Sequence, residues 1–376
     1  MKPWNKKIKG SYIYLHKDWP AFTWNNDELL QPLVGVRSKQ HLLKGYMETL
    51  GFTERNVSTL DTLTQDVLKT SEIEGELLKP DQVRSSIARK LGIDVAGLVN
   101  TGRDVDGVVE MMLDATQHYK SKLTKERLFG WHAALFPAGR SGMQKIITGK
   151  WRNDSTGPMQ VVSGPMGRET VHYQAPPAKE LTRQMTIFLQ WFNAKQAIDP
   201  VIKAAVAHLW FVTLHPFDDG NGRIARAIAD MQLTRADDDA RRFYSMSARI
   251  RVERKQYYDI LERTQKGNMD ITPWLLWFLA CLDGALQDTE GTVKRILKKA
   301  RFWDKYAHKP INERQRMMLN KLFDGFYGNL TSSKWAAMVK CSADTAVNDI
   351  NELIKMGILK KGEAGGRSTN YLLKEV

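Results

Sequence analysis

Twelve consecutive residues, His215-Pro216-Phe217-Asp218-Asp219-Gly220-Asn221-Gly222-Arg223-Ile224-Ala225-Arg226, gather groups able to act together on a phosphate ester. The imidazole of His215 titrates near neutrality and can take a proton from an attacking hydroxyl. Asp219 offers a hard oxygen ligand suited to Mg²⁺, which binds through one or two carboxylates and the phosphates themselves. Gly220, Asn221 and Gly222 let the backbone turn tightly and bring its N–H groups close to an anion. The helical pattern that begins at once adds free donors and the positive end of a dipole. Arg223 and Arg226, three apart, share one face, where two guanidinium groups grip phosphate oxygens. Base, metal ligand and clamp together imply a polyphosphate substrate.

A loop this polar needs rigid elements around it. Apolar residues recur at helical spacing over 201–214 before it and 223–234 after it, and again over 105–119 and 179–192. The chain therefore reads as mainly α. Between these stretches, residues 139–177 are rich in Gly and Pro and hold the alternating piece 159–163, read as one arm of a β-hairpin. Near the start, Tyr12, Tyr14, Trp19, Phe22 and Trp24 suggest a short hairpin or extended lead-in. A helix is expected from about Ser58, with Ser58 and Asp61 as a capping pair, and Gly75 is a natural stop for it.

The texture changes near the end. Helical patterns over 313–323, 332–338 and 342–356 precede Gly357-Ile358-Leu359, a Gly365-Gly366-Arg367 turn and Tyr371-Leu372-Leu373. Three helices closed by a small hairpin describe a winged helix-turn-helix. Three domains are expected: 1–95, a helical N-terminal domain; 96–295, the core with the polar loop; and 310–376, the winged helix-turn-helix.

At 376 residues, 42% hydrophobic and 26% charged, the chain has the composition of a globular protein. Cys281 and Cys341 are the only cysteines, and their separation excludes a disulfide framework or a cysteine-rich zinc site. The opening MKPWNKKIKG lacks a long apolar continuation, and the run from Trp274 to Leu282 is too short to span a bilayer, so a cytoplasmic location without membrane contact is expected. A net charge of +14 invites a nucleic-acid reading, but the basic residues are spread along the chain and equally suit a nucleotide-binding enzyme.

The loop resembles the signature of the Fic family, His-x-Phe-x-(Asp/Glu)-Gly-Asn-Gly-Arg-x-x-Arg, and matches it at every specified position. The resemblance implies His215 as general base, Phe217 as a core anchor, Asp219 as the Mg²⁺ ligand, Gly220, Asn221 and Gly222 as the phosphate nest, and Arg223 and Arg226 as grips on the outer phosphates. Gly149-Lys150-Trp151-Arg152 and Gln160-Val161-Val162-Ser163-Gly164 look like the lead-in and edge of the family's target-docking flap, which would hold a target by strand addition. Tyr257 and Tyr258 are at places where relatives close the base pocket. Residues 16–24 look like the N-terminal domain that precedes the core in bacterial members.

Gly222 bears on the reaction. Family members similar to the Doc toxin carry lysine there and transfer phosphoryl groups, whereas glycine leaves room for a full triphosphate. The resemblance thus implies AMP transfer from ATP to a Ser, Thr or Tyr hydroxyl of a protein, the enzyme itself included. Thr70-Ser71-Glu72-Ile73-Glu74-Gly75 fits the family's inhibitory pattern (Ser/Thr)-x-x-x-Glu-(Gly/Asn), which implies that Glu74 occupies Arg226 and keeps ATP in an unreactive pose. The alternatives are a DNA-binding winged-helix regulator with the core as nucleotide sensor, and transfer of a different phosphate-containing group. Residues 342–350, which would lead the recognition helix, contain Asp344 and Asp349 and no arginine. That favours a contact with protein or a homodimer over DNA.

Overall fold

In the computed structural model the described residues are 12–49, 51–94, 97–165, 168–195, 197–323, 329–362 and 369–374, with residues 52–54 described by their backbone alone. After a 3-10 turn (Ile13–Leu15) the chain forms α1 (Asn26–Glu48), α2 (Phe52–Ile73), α3 (Pro80–Leu91), α4 (Arg103–Gln117) and α5 (Lys125–Leu135). Two antiparallel hairpins follow, β1 (Arg140–Ser141) with β2 (Gln144–Lys145) and β3 (Gln160–Ser163) with β4 (Thr170–Gln174). Helices then resume as α6 (Ala178–Asn193), α7 (Pro200–Leu214), α8 (Asn221–Asp237), α9 (Met246–Val252), α10 (Arg254–Gln265) and α11 (Thr272–Tyr306). The last elements are α12 (Glu313–Phe323), α13 (Ser332–Val339), α14 (Ala343–Lys355), β5 (Leu359–Lys361) and β6 (Tyr371–Leu373). The protein is mainly helical, and it divides into two units, 1–289 and 290–376, at a point inside α11.

The first unit is built around α7. Its sequence is apolar on all sides, which suits a helix buried all round, and Val201 to Leu214 are indeed buried without exception. Asp199 caps it by accepting from the Val201 N–H at 2.7 Å, and Pro200 fits the first turn, where no N–H is needed. The Trp274 indole donates to Ala205 O at 2.9 Å, tying α11 to the same helix. The aromatic lead-in forms no hairpin. Trp19 and Phe22 pack edge-on against Trp210 of α7, and Thr23 pairs in parallel with Asp270 as extended chain.

Helix α2 starts at Phe52, earlier than the Ser58–Asp61 pair suggests. Gly51 is its N-cap, and Ser58 lies in the helix with 6% of its surface exposed. The far end closes on glycine: Glu76 N–H donates to Ser71 O at 3.0 Å, Gly75 N–H to Glu72 O at 3.1 Å, and Gly75 has φ +88°. This Schellman closure leaves Glu74 as the C-cap. A buried ionic cluster fixes α2 against its neighbours: Arg242 pairs with Asp230 of α8, and Ser245 donates its hydroxyl to Asp66 of α2.

In the second unit Phe302, Met318, Trp335, Ile350, Leu353 and Ile358 form a separate core. β5 pairs with β6, and Leu330 bridges to Tyr371. The Gly365-Gly366-Arg367 turn and the opening residues 1–11 lie outside the described residues. Asp349 does not face outward as the recognition-helix reading supposed. It is buried at 3% exposure and accepts from Arg314 at 2.9 and 3.0 Å, anchoring α14 to α12. Among the described residues no helix is long and apolar enough to cross a membrane, and Cys281 and Cys341 are both free.

Candidate active site

The polar loop links two helices packed side by side, α7 and α8, and its shape is set from both ends. His215 terminates α7 in the left-handed region (φ +48°), which a non-glycine residue adopts only when its surroundings hold it there. Arg152 supplies that hold. Its Nε donates to His215 O at 2.7 Å, its backbone N–H to Pro216 O at 2.9 Å and its Nη2 to Pro176 O at 2.6 Å. Phe217 is fully buried between Trp151 and the ring of His132, which stacks on it at 4.2 Å. The Asn221 side chain brackets the Phe217 backbone, accepting from its N–H at 3.0 Å and donating to its carbonyl at 2.8 Å. Asn221 therefore shapes the loop with its side chain and offers an anion only its main chain.

His215 Nδ1 lies 3.2 Å from Val212 O, an acceptor, so Nδ1 carries the proton and Nε2 keeps its lone pair. Burial pushes the imidazole down to about 4 against the opposing pull of the Val212 carbonyl, so the ring is neutral at pH 7 and ready to accept a proton.

Gly220 caps α8 at φ +76°, where a Cβ would press on the Phe136 ring at 2.9 Å. The first N–H groups of α8 thus open onto the loop. Asp219 is oriented by the Ser141 hydroxyl and by the Gly220 N–H (2.5 Å), and Asp218 accepts from Ile147 N–H at 2.8 Å. Among the described residues no three His, Cys, Asp or Glu side chains gather into a metal site of their own. A single held carboxylate fits Mg²⁺ that arrives on phosphate oxygens, the usual mode for that ion.

Both signature arginines are 98% shielded from solvent, and both are occupied by carboxylates from the turn that ends α2. Arg226 donates from Nη2 to Glu74 at 2.7 Å and to Thr70 O at 2.9 Å, and from Nε to the Thr70 hydroxyl at 2.8 Å. Burial works to lower the Arg226 guanidinium, but Glu74, together with Tyr257 and Tyr258, offsets it and holds the group above its ordinary value. Arg223 pairs with Glu76 at 2.5 Å. Glu76 has no place in the sequence pattern; the Gly75 turn, which brings residues 74 and 76 to the same loop, is the signal that could have found it. A Cβ on Gly222 would collide with Glu74 Oε1 and lie 3.2 Å from Arg226 Nη1, so glycine there makes room for the carboxylate.

Tyr258 reaches the same place, its hydroxyl 3.4 Å from Glu74 Oε2. Tyr257, placed beside it by the resemblance, lies deeper. It is 1% exposed, with its hydroxyl 2.9 Å from His208 Nε2, and it meets the site from beneath, close to the Arg226 guanidinium. The residues expected to form a flap lie on and next to the β3–β4 hairpin: Val161 is partly buried on Tyr12 and Tyr173, Val162 and Ser163 are exposed, and Gly164 turns the chain at φ +101°. β3 pairs with β4 on one side only, leaving its other edge without a strand partner among the described residues.

Comparison with known proteins gives the same answer for the centre of the chain. The Fic/DOC family model matches residues 122–233, and a domain of unknown function, DUF4172, matches residues 12–93. The chain is 29% identical over 230 residues to a Culex quinquefasciatus protein named protein adenylyltransferase Fic, covering 59% of this chain and 40% of that one. It is 35% identical over 111 residues to the Nematostella vectensis protein of the same name, covering 29% and 24%. It thus spans less than half the length of these relatives. The solved structure of a Fic family protein from Desulfovibrio desulfuricans matches 94% of this chain and 98% of its own, with TM-score 0.55 and 18% identity, and Fic-1 from C. elegans matches 70% and 73%, with TM-score 0.50 and 22% identity. A loop between buried helices with every signature residue in place, inside a fold these proteins share, carries the conclusion that residues 122–233 are a Fic/DOC family domain.

Proposed function

We propose that the protein transfers AMP from ATP to a hydroxyl of a protein, itself included, and that Glu74 restrains it. The observation that carries this reading is the Glu74–Arg226 pair beside a neutral His215 whose Nε2 is free to accept a proton. The acceptor hydroxyl gives its proton to His215 Nε2 as its oxygen attacks the α-phosphorus in line, and pyrophosphate departs toward Arg223 and Arg226. The backbone N–H groups of residues 220–222 receive the charge that develops, so catalysis is positioning and charge stabilisation. Mg²⁺ held by Asp219 and the phosphates would neutralise the leaving group. Tyr258 would flank the base, and the open edge of β3, with Val161, Val162, Ser163 and Gly164, would dock the target strand.

Inhibition is a competition for one guanidinium. While Glu74 holds Arg226, the outer phosphate has lost its grip and the α-phosphorus is out of line. Incubation of the parent, Glu74→Gly and His215→Ala proteins with ATP and Mg²⁺, followed by intact mass spectrometry, tests the reading. AMP on the Glu74→Gly protein, little on the parent and none on His215→Ala supports it. A phosphate-sized increment replaces it with phosphoryl transfer, and no increment with any nucleoside triphosphate leaves a nucleotide sensor.

For the last unit we favour a winged helix-turn-helix that contacts protein or a second copy of the chain. The exposed face of α14 carries Asp344, Asn348, Asn351 and Glu352 with one cation, Lys355, at its far end, which offers little to a phosphate backbone. DNA binding at low salt that disappears when residues 310–376 are deleted would reverse this. Two free cysteines suit a reducing, cytoplasmic setting.

A further inference from the structure

On the flap, where strand docking would use the β3 backbone, the Ser163 side chain belongs to an arrangement that docking does not need. Ser163 Oγ on β3 lies 2.6 Å from His172 Nε2 on β4, and His172 Nδ1 lies 2.7 Å from Glu262 Oε2 on α10. Nucleophile, base and orienting carboxylate in this order are the recognisable constellation of an activated hydroxyl.

The hairpin is irregular at this place. Val161 faces Tyr173, but Val162 faces Val171, so His172 is the extra residue of a β-bulge. Bulges re-aim side chains, and this one turns the imidazole between Ser163 and α10. Glu262 accepts only, so Nδ1 bears the proton and Nε2 accepts from the Ser163 hydroxyl. The carboxylate is itself held by Lys266 at 2.5 Å. Burial works to raise it, but hydrogen bonds from Lys266 and His172 outweigh burial and keep it below its usual range, hence ionised. Ser163 is exposed, and Gly164 at φ +101° turns the chain sharply behind it. Two hydrogen bonds would be enough to tie a hairpin to a helix; a hydroxyl on an exposed residue at the head of the relay adds a site of attack.

We propose that Ser163, His172 and Glu262 form a second reactive centre in which Ser163 attacks carboxylic esters. Because the hydroxyl stands on an exposed hairpin, the fitting substrate is an ester displayed on another macromolecule. In the first step the Ser163 Oγ–carbon bond forms as its proton passes to His172 Nε2, and Glu262 stabilises the imidazolium. The ester C–O bond then breaks, and the leaving alkoxide takes that proton. Water, deprotonated by His172, cleaves the acyl-serine and restores the hydroxyl, so no other co-reactant is required.

The test uses the full chain without nucleotide, which separates its outcome from that of the AMP-transfer reading. A fluorophosphonate probe is added and the labelled peptide mapped by mass spectrometry; p-nitrophenyl acetate turnover is followed in parallel. The expected result is label on Ser163, none on Ser163→Ala, and labelling slowed by about 100-fold or more in His172→Ala. Glu262→Gln keeps an acceptor for Nδ1–H but removes the charge, and is expected to slow labelling about tenfold or more with an unchanged melting temperature. Ser163 left unlabelled under conditions that label a control serine hydrolase overturns the proposal. So does labelling that is equally fast in His172→Ala.

Discussion

The guanidinium of Arg226, in the first two turns of α8, stands 2.7 Å from the carboxylate of Glu74, the C-cap of α2. A carboxylate at a helix C-terminus meets the negative end of the dipole and is unfavourable there unless a cation answers it. Arg226 is that cation, and it is also the group an outer phosphate would need. Glu74→Gly should raise AMP incorporation on the order of tenfold or more over the parent, measured by intact mass against time.

Arg223 is answered by Glu76 across the same turn, but the two pairs are not equal. The Glu76 side chain is 46% exposed, against 29% for Glu74, and exposed ion pairs contribute less. Glu76→Gln should raise the rate by only about two- to fivefold. In a double-mutant cycle with Glu74→Gly the two effects should couple, because both carboxylates ride on one turn.

The pH profile should follow His215. With the folded imidazole pushed down to about 4, the base is neutral throughout the physiological range. The rate of the Glu74→Gly protein should be flat between about pH 6 and 8 and fall as pH drops toward 4. Stability moves the same way. An unfolded histidine binds its proton near pH 6.5, so between about 4 and about 6.5 the unfolded chain holds protons that the folded one does not, and stability falls with acid. His132, about 4, and His208, about 3, add to this loss, which urea melts at a series of pH values would record.

The Asp66–Asp230–Arg242 cluster has the opposite sign. Burial, reinforced by Asp230, pushes the Asp66 carboxyl up to about 7, against about 4 in an unfolded chain. The folded protein then binds the extra proton, and this contribution shrinks as pH rises from about 4 to about 7. The difference in melting temperature between the parent and Asp66→Asn should reveal that slope. Arg242→Met leaves two buried carboxylates unanswered and should cost about 3–5 kcal/mol in urea unfolding. A loss below about 1 kcal/mol would show that water reaches the cluster.

What could be read from the sequence was what is local. The loop from His215 to Arg226 is contiguous, and helical periodicity alone puts its two arginines on one face. Gly75 could be read as a helix stop because only glycine adopts φ +88° without strain. Alternation over 159–163 likewise marks a strand, and β3 covers all of it but Met159. The misreadings arise where distant packing overrides local preference. Ser58 looks like a cap but lies buried within α2, Tyr257 and Tyr258 look alike but Tyr257 is fully buried on His208 while Tyr258 reaches Glu74, and Asp349 looks like a surface charge but holds Arg314.

By itself, then, the sequence determined the helical class, the identity of the loop and its complement of imidazole, carboxylate and guanidinium groups, since these depend on neighbours within one or two helical turns. Tertiary structure alone decided that Glu76 answers Arg223, that Arg152 holds His215 in a left-handed turn, and that a bulged hairpin sets His172 between Ser163 and Glu262. Those contacts join residues 63 to 147 positions apart, or nine across a strand pair whose register one extra residue shifts. Such pairings arise only when the burial of helices such as α7 brings separate segments of the chain together.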